Sequence, residues 1–270
     1  MFSIKKFNQN KIFDIVIFII PCIFLICLIL FLSGIFFQTS FSIFIKEIKN
    51  IKLWKAILLS FKISIVVILI NVFIGVPLSY ILSFKKNRFS FLLDVVSSLP
   101  LTLSPLIIGF AVLITAGPLN PIGKFFINHG IKFVFTPLGI IVVQVIISFP
   151  FFVNILKESF DSINRKMLNL SKTLGASSFD ILFKIILPVS FNALLAGISM
   201  SWSRSMGEFA ATQMVSGVIP NITETAPISI FIKASYGNYP YAIAISSILI
   251  VVSFISLGFF KFFSYKSKQN

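Results

Sequence analysis

Six runs of apolar residues, each long enough to cross a lipid bilayer, dominate this chain of 270 residues. A membrane-spanning helix needs about 20 largely apolar residues. Lipid offers no hydrogen-bonding partner to free backbone groups, and the runs lack the alternating pattern of barrel strands, so each run is predicted to be helical. The sequence therefore predicts an all-α membrane protein, with residues 1–270 forming a single transmembrane domain. The six predicted transmembrane helices cover about residues 13–37, 56–84, 91–116, 133–156, 185–206 and 241–263.

The composition excludes the soluble and disordered classes of protein. Hydrophobic residues make up 57% of the chain, charged residues make up 11%, and the mean hydropathy is +1.02. A chain this apolar cannot stay solvated. The net charge of +15 raises the question of a nucleic-acid partner. The basic residues, however, cluster between apolar runs, as at Lys85, Lys86 and Arg88, so we expect a lipid bilayer and no nucleic acid.

The distribution of basic residues predicts the orientation in the membrane. With the N-terminus inside, the inner segments hold fourteen lysines and arginines, and the outer loops hold seven. Basic residues favour the cytoplasmic side, so both termini are predicted to be cytoplasmic in a multi-pass protein of the cell membrane. The first run, preceded by Lys5, Lys6 and Lys11, is followed by no cleavage motif and is interpreted as an uncleaved anchor.

The sequence lacks the common signatures of catalysis and cofactor binding. His129 is the single histidine, no Gly-x-Ser-x-Gly sequence occurs, and no pair of aspartates lies within the runs. The stretch Gly117–Lys124 departs from a phosphate loop, since its glycines are one residue too far apart and Phe125 stands where Ser or Thr is needed. Cys22 and Cys27 lie in the first apolar run, where no disulfide is expected. No catalytic residue, metal or cofactor is predicted in this chain.

The loop of residues 157–184, between the fourth and fifth runs, is unusually long and charged. Its helix-forming stretches are interrupted around Gly175, and Ser177 or Ser178 can cap a second helix that begins near Phe179. The predicted shape is helix, turn, helix. Such a unit can dock into a groove on a partner, or it can rest on the lipid headgroups as an interfacial helix pair. The apolar side chains available for contact are Leu168, Leu174, Phe179 and Leu182.

This loop resembles the EAA loop of ABC-transporter membrane subunits. The matching residues are Asn169-Leu-Ser-Lys-Thr-Leu-Gly175, nine intervening residues, and Ile185-Ile-Leu187-Pro188, with Asn169, Leu170 and Ser171 where the family has Glu-Ala-Ala. The resemblance implies that the loop contacts separate ATPase subunits, which bind ATP and Mg, and that this chain is itself no enzyme. The residues implied in this contact are Asn169, Leu170, Ser171, Lys172, Thr173, Leu174, Gly175, Ala176, Ser177, Ser178, Asp180, Leu187 and Pro188.

A second resemblance is to the oxyanion permeases for molybdate, tungstate and sulfate. It rests on Arg204-Ser-Met-Gly-Glu-Phe-Ala-Ala-Thr212, Gly217-Val-Ile-Pro220 and Thr223-Glu-Thr-Ala-Pro227, and it covers roughly residues 54–260. It implies a type I ABC importer permease-like fold, a homodimer, two ABC ATPase subunits and an extracytoplasmic oxyanion-binding protein. The wording of the motifs favours molybdate or tungstate. A sulfate or other oxyanion permease, and a channel or scaffold that needs no ATPase, remain the alternatives.

The fifth run carries the residues predicted for the pathway or gate. Its small residues recur every fourth position, which allows close packing of another helix, while its hydroxyls can line a wet path for an anion. Arg204 and Glu208 are four residues apart and are predicted to form an ion pair, structural or gate-closing, with direct contact between Arg204 and the oxyanion as the alternative. Residues 207–240 are predicted to fold back at the outer mouth and touch the binding protein. The predicted pathway residues are Ser199, Ser201, Ser203, Arg204, Gly207 and Glu208.

Overall fold

Helices account for nearly all of the regular structure in the described part of the chain. The computed structural model describes the backbone of residues 2–38 and 40–267, and the side chains of residues 13, 16–38, 40–259, 261 and 262. The helices are α1 (Phe2–Phe37), α2 (Phe41–Ile48), α3 (Ile51–Phe84), α4 (Arg88–Thr102), α5 (Pro105–Ala116), α6 (Pro121–Asn128), α7 (Pro137–Asp161), α8 (Arg165–Thr173), α9 (Ser178–Val189), α10 (Phe191–Met206), α11 (Ala210–Ser216), α12 (Ala226–Ser235) and α13 (Tyr239–Ser267).

Within the described residues, four segments are long and apolar enough to cross a membrane, and two bent helix pairs raise the number to six if each pair counts as one span. The four are Val16–Phe37, Ile51–Phe84, Pro137–Asp161 and Tyr239–Phe259. The all-α fold predicted from the apolar runs is therefore confirmed. The second and fourth spans differ from the predicted bounds, since the second begins at residue 51 and the fourth is shifted to 137–161.

The predicted spans 91–116 and 185–206 are not continuous helices, which corrects the sequence interpretation. The first of them bends by 111° between α4 and α5. Ser104 is extended and Pro105 begins α5, as the ring of a proline requires of the residue before it. The second bends by 77° between α9 and α10, next to Pro188, which has no N–H to continue the helical bonding.

The ring of Phe152 lies between α3, α7 and α10, which pack closely together. Phe152 of α7 is fully buried. A Cβ atom added to Gly75 of α3 would lie 2.5 Å from Phe152 Cδ1, and one added to Gly197 of α10 would lie 3.1 Å from Phe152 Cδ2. The two glycines therefore let α3 and α10 approach the two edges of the ring, which is how small residues bring membrane helices together.

The α5–α11 contact gives a direct test of the packing. An added Cβ at Gly109 of α5 would lie 2.7 Å from the Ala211 Cα atom of α11, and backbone cannot move aside as a side chain can. We expect Gly109→Ala to lower the free energy of unfolding in detergent by about 1 to 3 kcal/mol. Gly258→Ala is the control, since nothing lies within 4 Å of that position in α13. Equal stabilities of the two variants would contradict the contact.

Candidate functional site

The loop of residues 157–184 has the helix–turn–helix form. Asn164 caps α8, its Oδ1 atom accepting a hydrogen bond from the Lys166 N–H at 2.9 Å. Beyond α8 the chain reverses at Gly175, whose φ of +88° suits glycine, and the Gly175 N–H donates to the Lys172 carbonyl at 2.9 Å. The direction of α9 relative to α8 therefore depends on this one left-handed residue.

Ser177 caps the second helix, which begins at Ser178, one residue before the predicted start. The Asp180 N–H donates to Ser177 Oγ at 3.1 Å, and the Ser177 N–H donates to Asp180 Oδ2 at 3.3 Å, so each satisfies the other as a capping box. Hydrogen bonds from Lys184 and then from Ser177 lower the pKa of the exposed Asp180 carboxyl to about 2. Leu187 and Pro188 lie in the last turn of this helix, α9.

Large apolar side chains on both helices of the loop face outward. Leu174 is 88% exposed and Phe179 is 67% exposed, in line with their predicted availability for contact. Leu168 is buried in the bundle, so its predicted availability for contact is wrong, and Leu182 is partly buried against the same core. The exposed set, which we call the loop apolar surface, consists of Met167, Leu170, Leu174, Phe179 and Phe183.

The predicted pathway hydroxyls lie in two different settings. Ser201 is fully buried, and its Oγ atom accepts from Asn71 Nδ2 at 2.6 Å. Ser199 is partly buried, and Ser203 and Gly207 line a groove of about 420 Å³ whose other walls are mainly apolar. Within the subunit, the position of Ser201 supports the close-packing interpretation, and the pathway role of these residues stays a prediction.

A buried polar network joins α3, α7 and α10, and it was not predicted from the sequence. Asn71 Nδ2 also donates to Ser148 Oγ at 2.7 Å, and the Ser205 hydroxyl donates to Gln144 Oε1 at 2.6 Å. Asn71 and Gln144 are polar residues inside apolar runs, and that is the signal by which they could have been found. Their partners could not, because the sequence does not say which helices face one another.

The ion pair predicted from spacing is present at the end of α10. Arg204 Nη1 lies 2.9 Å from Glu208 Oε2. The Glu208 side chain is 2% exposed and that of Arg204 is 29% exposed, so the carboxylate depends on the arginine for its neutralisation. Glu208 Oε1 also accepts from the Ala211 N–H at 3.0 Å, in the first turn of α11. The pair therefore fixes the junction between α10 and α11.

Residues 207–240 fold back against the bundle as α11, a loop and α12. The Thr223 hydroxyl donates to the Ser216 carbonyl at 3.1 Å, and the Ala226 N–H donates to Ser60 Oγ of α3 at 2.8 Å. Thr223 and Thr225 are buried. The segment is thus anchored to α3 at the start of α12, and its contact with a binding protein stays a prediction.

The metal-ligating residue types are dispersed in this structure. Among the described residues, no group of three or more His, Cys, Asp or Glu side chains is placed to hold a metal ion. The fold is that of a polytopic membrane protein. It has several apolar spans, a helix–turn–helix loop with exposed apolar side chains, and a folded-back segment held to α3.

Comparison with known proteins assigns the family. Residues 75–268 match the binding-protein-dependent transport system inner membrane component family, and the chain belongs to that family. It is accordingly a multi-pass inner-membrane protein and a transport permease.

The sequence is similar to those of three relatives named as transport permeases. The first is a probable transport system permease protein, NifC of Clostridium pasteurianum, at 32% identity over 75% of this chain and 71% of the relative. The second is the molybdenum transport system permease protein ModB of Escherichia coli K12, at 30% identity over 76% of this chain and 90% of the relative. The third is the sulfate transport system permease protein CysT of Salmonella typhimurium, at 30% identity over 68% and 66%.

The fold is that of a solved importer. A chain of the bacterial alginate ABC transporter, in complex with an alginate pentasaccharide-bound periplasmic protein, superposes with a TM-score of 0.72 at 16% identity. The superposition covers 96% of each chain. The type I ABC importer permease-like fold expected from the motifs is thereby confirmed.

Proposed function

We propose that this chain is the membrane-spanning permease subunit of an ATP-driven importer for molybdate or tungstate. The 30% identity with ModB over 90% of that relative carries the proposal. The motif residues lie in the Arg204–Glu208 pair and the folded-back Thr223–Pro227 segment, and both are held by contacts within the subunit. The comparable similarity to CysT keeps a sulfate permease as the second candidate.

The proposed assembly contains two copies of this chain, two ABC ATPase subunits and an extracytoplasmic oxyanion-binding protein. Hydrolysis of ATP, together with Mg, belongs to the ATPases, so this chain is not an enzyme. The exposure of Leu174 and Phe179 supports a protein partner at the loop, because such side chains bind well in an apolar groove. If each bent helix pair counts as one span, four spans precede the loop and two follow it, so a loop in the cytoplasm implies that both termini are cytoplasmic as well.

The proposed mechanism couples the loop to alternation of the bundle between inward-facing and outward-facing states. ATP drives the switch only if it binds one state more tightly than the other. The ATPases close on ATP, α8 and α9 move with them, and the binding protein delivers the anion to the outward-facing state. The buried Arg204–Glu208 pair serves as a structural or gate-closing pair rather than a tight anion site, because a path has to release its ion as readily as it admits it.

Anion-stimulated ATPase activity tests the proposal. The chain is reconstituted in nanodiscs with its ATPase and binding protein, and activity is titrated with molybdate, tungstate and sulfate in parallel. We expect stimulation by molybdate and tungstate only. Stimulation by sulfate alone would move the assignment to the second candidate. Absence of stimulation in a confirmed complex would contradict the proposal and favour the alternative of a channel or scaffold that needs no ATPase.

A further inference from the structure

Helix α8 is held to the bundle by few side chains. Leu168 is buried in the apolar core, and Arg165, the first residue of α8, makes the polar contact. Arg165 Nη2 donates to the Ser83 carbonyl at 2.7 Å, and the guanidinium carbon lies 4.5 Å from the centroid of the Phe84 ring. One side chain therefore joins the start of α8 to the end of α3.

The acceptor is a carbonyl that the helix itself leaves free. The last four carbonyls of an α-helix have no intrahelical partner, and the C-terminal end of the helix dipole favours a cation. Ser83 is the penultimate residue of α3, so its carbonyl is one of these groups. A charge-assisted hydrogen bond and stacking of a planar guanidinium on an aromatic ring act together at this position, a combination that lysine cannot reproduce.

The end of α3 is in turn fixed to α7. The Ser83 hydroxyl donates to the Lys157 carbonyl at 3.2 Å, and the Phe84 ring lies 6.3 Å from the ring of Phe160. Arg165 also lies 3.5 Å from Asp161, but both of these side chains are exposed, and such pairs contribute little. The contacts with Ser83 and Phe84 are therefore the ones that position α8.

Helix α3 connects this end of the molecule to the opposite one. Its 34 residues span about 50 Å, and the Ser60 hydroxyl, about two and a half turns from the helix start at Ile51, accepts a hydrogen bond from the Ala226 N–H where α12 begins. We propose that Arg165 is a positioning residue for energy coupling: it ties α8 to α3, so that displacement of α8 by an ATPase is passed to α3. This inference rests on the proposed function of the loop.

Two substitutions at position 165 and one matched control test the inference. Arg165→Gln removes the charge and the planar fork, while Arg165→Lys keeps a donor for the Ser83 carbonyl. Arg88→Gln is the control, because Arg88 is exposed at the same end of the bundle and makes no ion pair among the described residues. Molybdate imported per ATP hydrolysed is measured in proteoliposomes with the partner subunits.

We expect the import-to-hydrolysis ratio to fall about tenfold in Arg165→Gln, to recover in part in Arg165→Lys, and to stay at the wild-type value in Arg88→Gln. A second readout uses the full chain alone in nanodiscs. A spin label at Lys172→Cys, in a background with Cys22→Ala and Cys27→Ala, is expected to gain mobility with Arg165→Gln and not with Arg88→Gln.

The outcomes separate this inference from the proposed function. A wild-type complex without anion-stimulated ATPase activity contradicts the proposed function and the coupling role with it. Suppose instead that the anion stimulates the wild-type complex and that Arg165→Gln imports as much molybdate per ATP hydrolysed as the wild type. That result overturns the positioning role and leaves the proposed function standing. Unchanged label mobility in Arg165→Gln also overturns it, because the contact would then not hold α8.

Discussion

Replacing Gly175 with proline is expected to reduce ATP-driven import by about tenfold or more, because the turn that aims α9 cannot form. Proline fixes φ at about −65°, whereas Gly175 has φ +88°. The substitution also removes the N–H that donates to the Lys172 carbonyl. Leu174 and Phe179, on either side of the turn, then no longer present themselves together to a partner. Molybdate uptake and ATPase activity of the reconstituted complex measure the effect.

Gly130→Pro provides the matched control for this prediction. Gly130 has φ +80°, its N–H donates to the Ile127 carbonyl at 2.9 Å, and it follows α6, outside the loop of residues 157–184. The two prolines therefore disrupt turns of the same kind. We expect Gly130→Pro to retain coupling between hydrolysis and uptake. Equal loss of uptake in both variants would show that the effect is general destabilisation. Full uptake by Gly175→Pro would show that the turn is not needed for coupling.

Replacing Arg204 with glutamine is expected to lower the free energy of unfolding by about 3 kcal/mol or more, because a buried carboxylate loses its counter-ion. Glu208 is only 2% exposed, and its Oε2 atom lies 2.9 Å from the arginine. Its other oxygen accepts from the Ala211 N–H, so Glu208 cannot turn away to solvent without uncapping α11. Unfolding of the purified subunit in detergent, followed by thermal melting or by titration with denaturing detergent, gives the measurement.

The double variant separates loss of charge balance from loss of side-chain packing. Arg204→Gln with Glu208→Gln removes both charges and keeps an oxygen that accepts from the Ala211 N–H. We expect it to recover most of the stability lost in the single variant, since neutral pairs often replace buried ion pairs at little cost. Arg88→Gln should melt as the wild type does. A double variant as unstable as Arg204→Gln would mean that the pair matters through its shape rather than its charge.

Local sequence signals predicted the features that depend on nearby residues. Hydropathy located the apolar spans because the length of a spanning helix follows from bilayer thickness. The Arg204–Glu208 pair followed from a spacing of four residues on a helix. The position before an apolar helix predicted a cap at Ser177 or Ser178, and the structure has it at Ser177. Each of these needs only the few residues on either side of it.

Features that depend on the three-dimensional arrangement of helices were not predictable. Asn71, Gln144 and Ser205 come from three different spans, and their hydrogen bonds exist only because α3, α7 and α10 adjoin. Pro188 marks a break in helical bonding near the 77° bend after α9, but the size and direction of the bend depend on the helices packed around it. Leu168 appeared as suitable for contact as Leu174, because a short amphipathic helix does not reveal how deeply it sits against its neighbours.

The Phe152 ring, packed between α3 and α10, restricts how the helix bundle can change shape. With Gly75 on one edge of the ring and Gly197 on the other, α3 and α10 cannot rotate or slide past α7 without driving a backbone into the ring. We therefore expect the three helices to move together rather than independently. We expect rearrangement within the subunit at the two places where the chain is already broken, Thr102–Pro105 and Val189–Phe191.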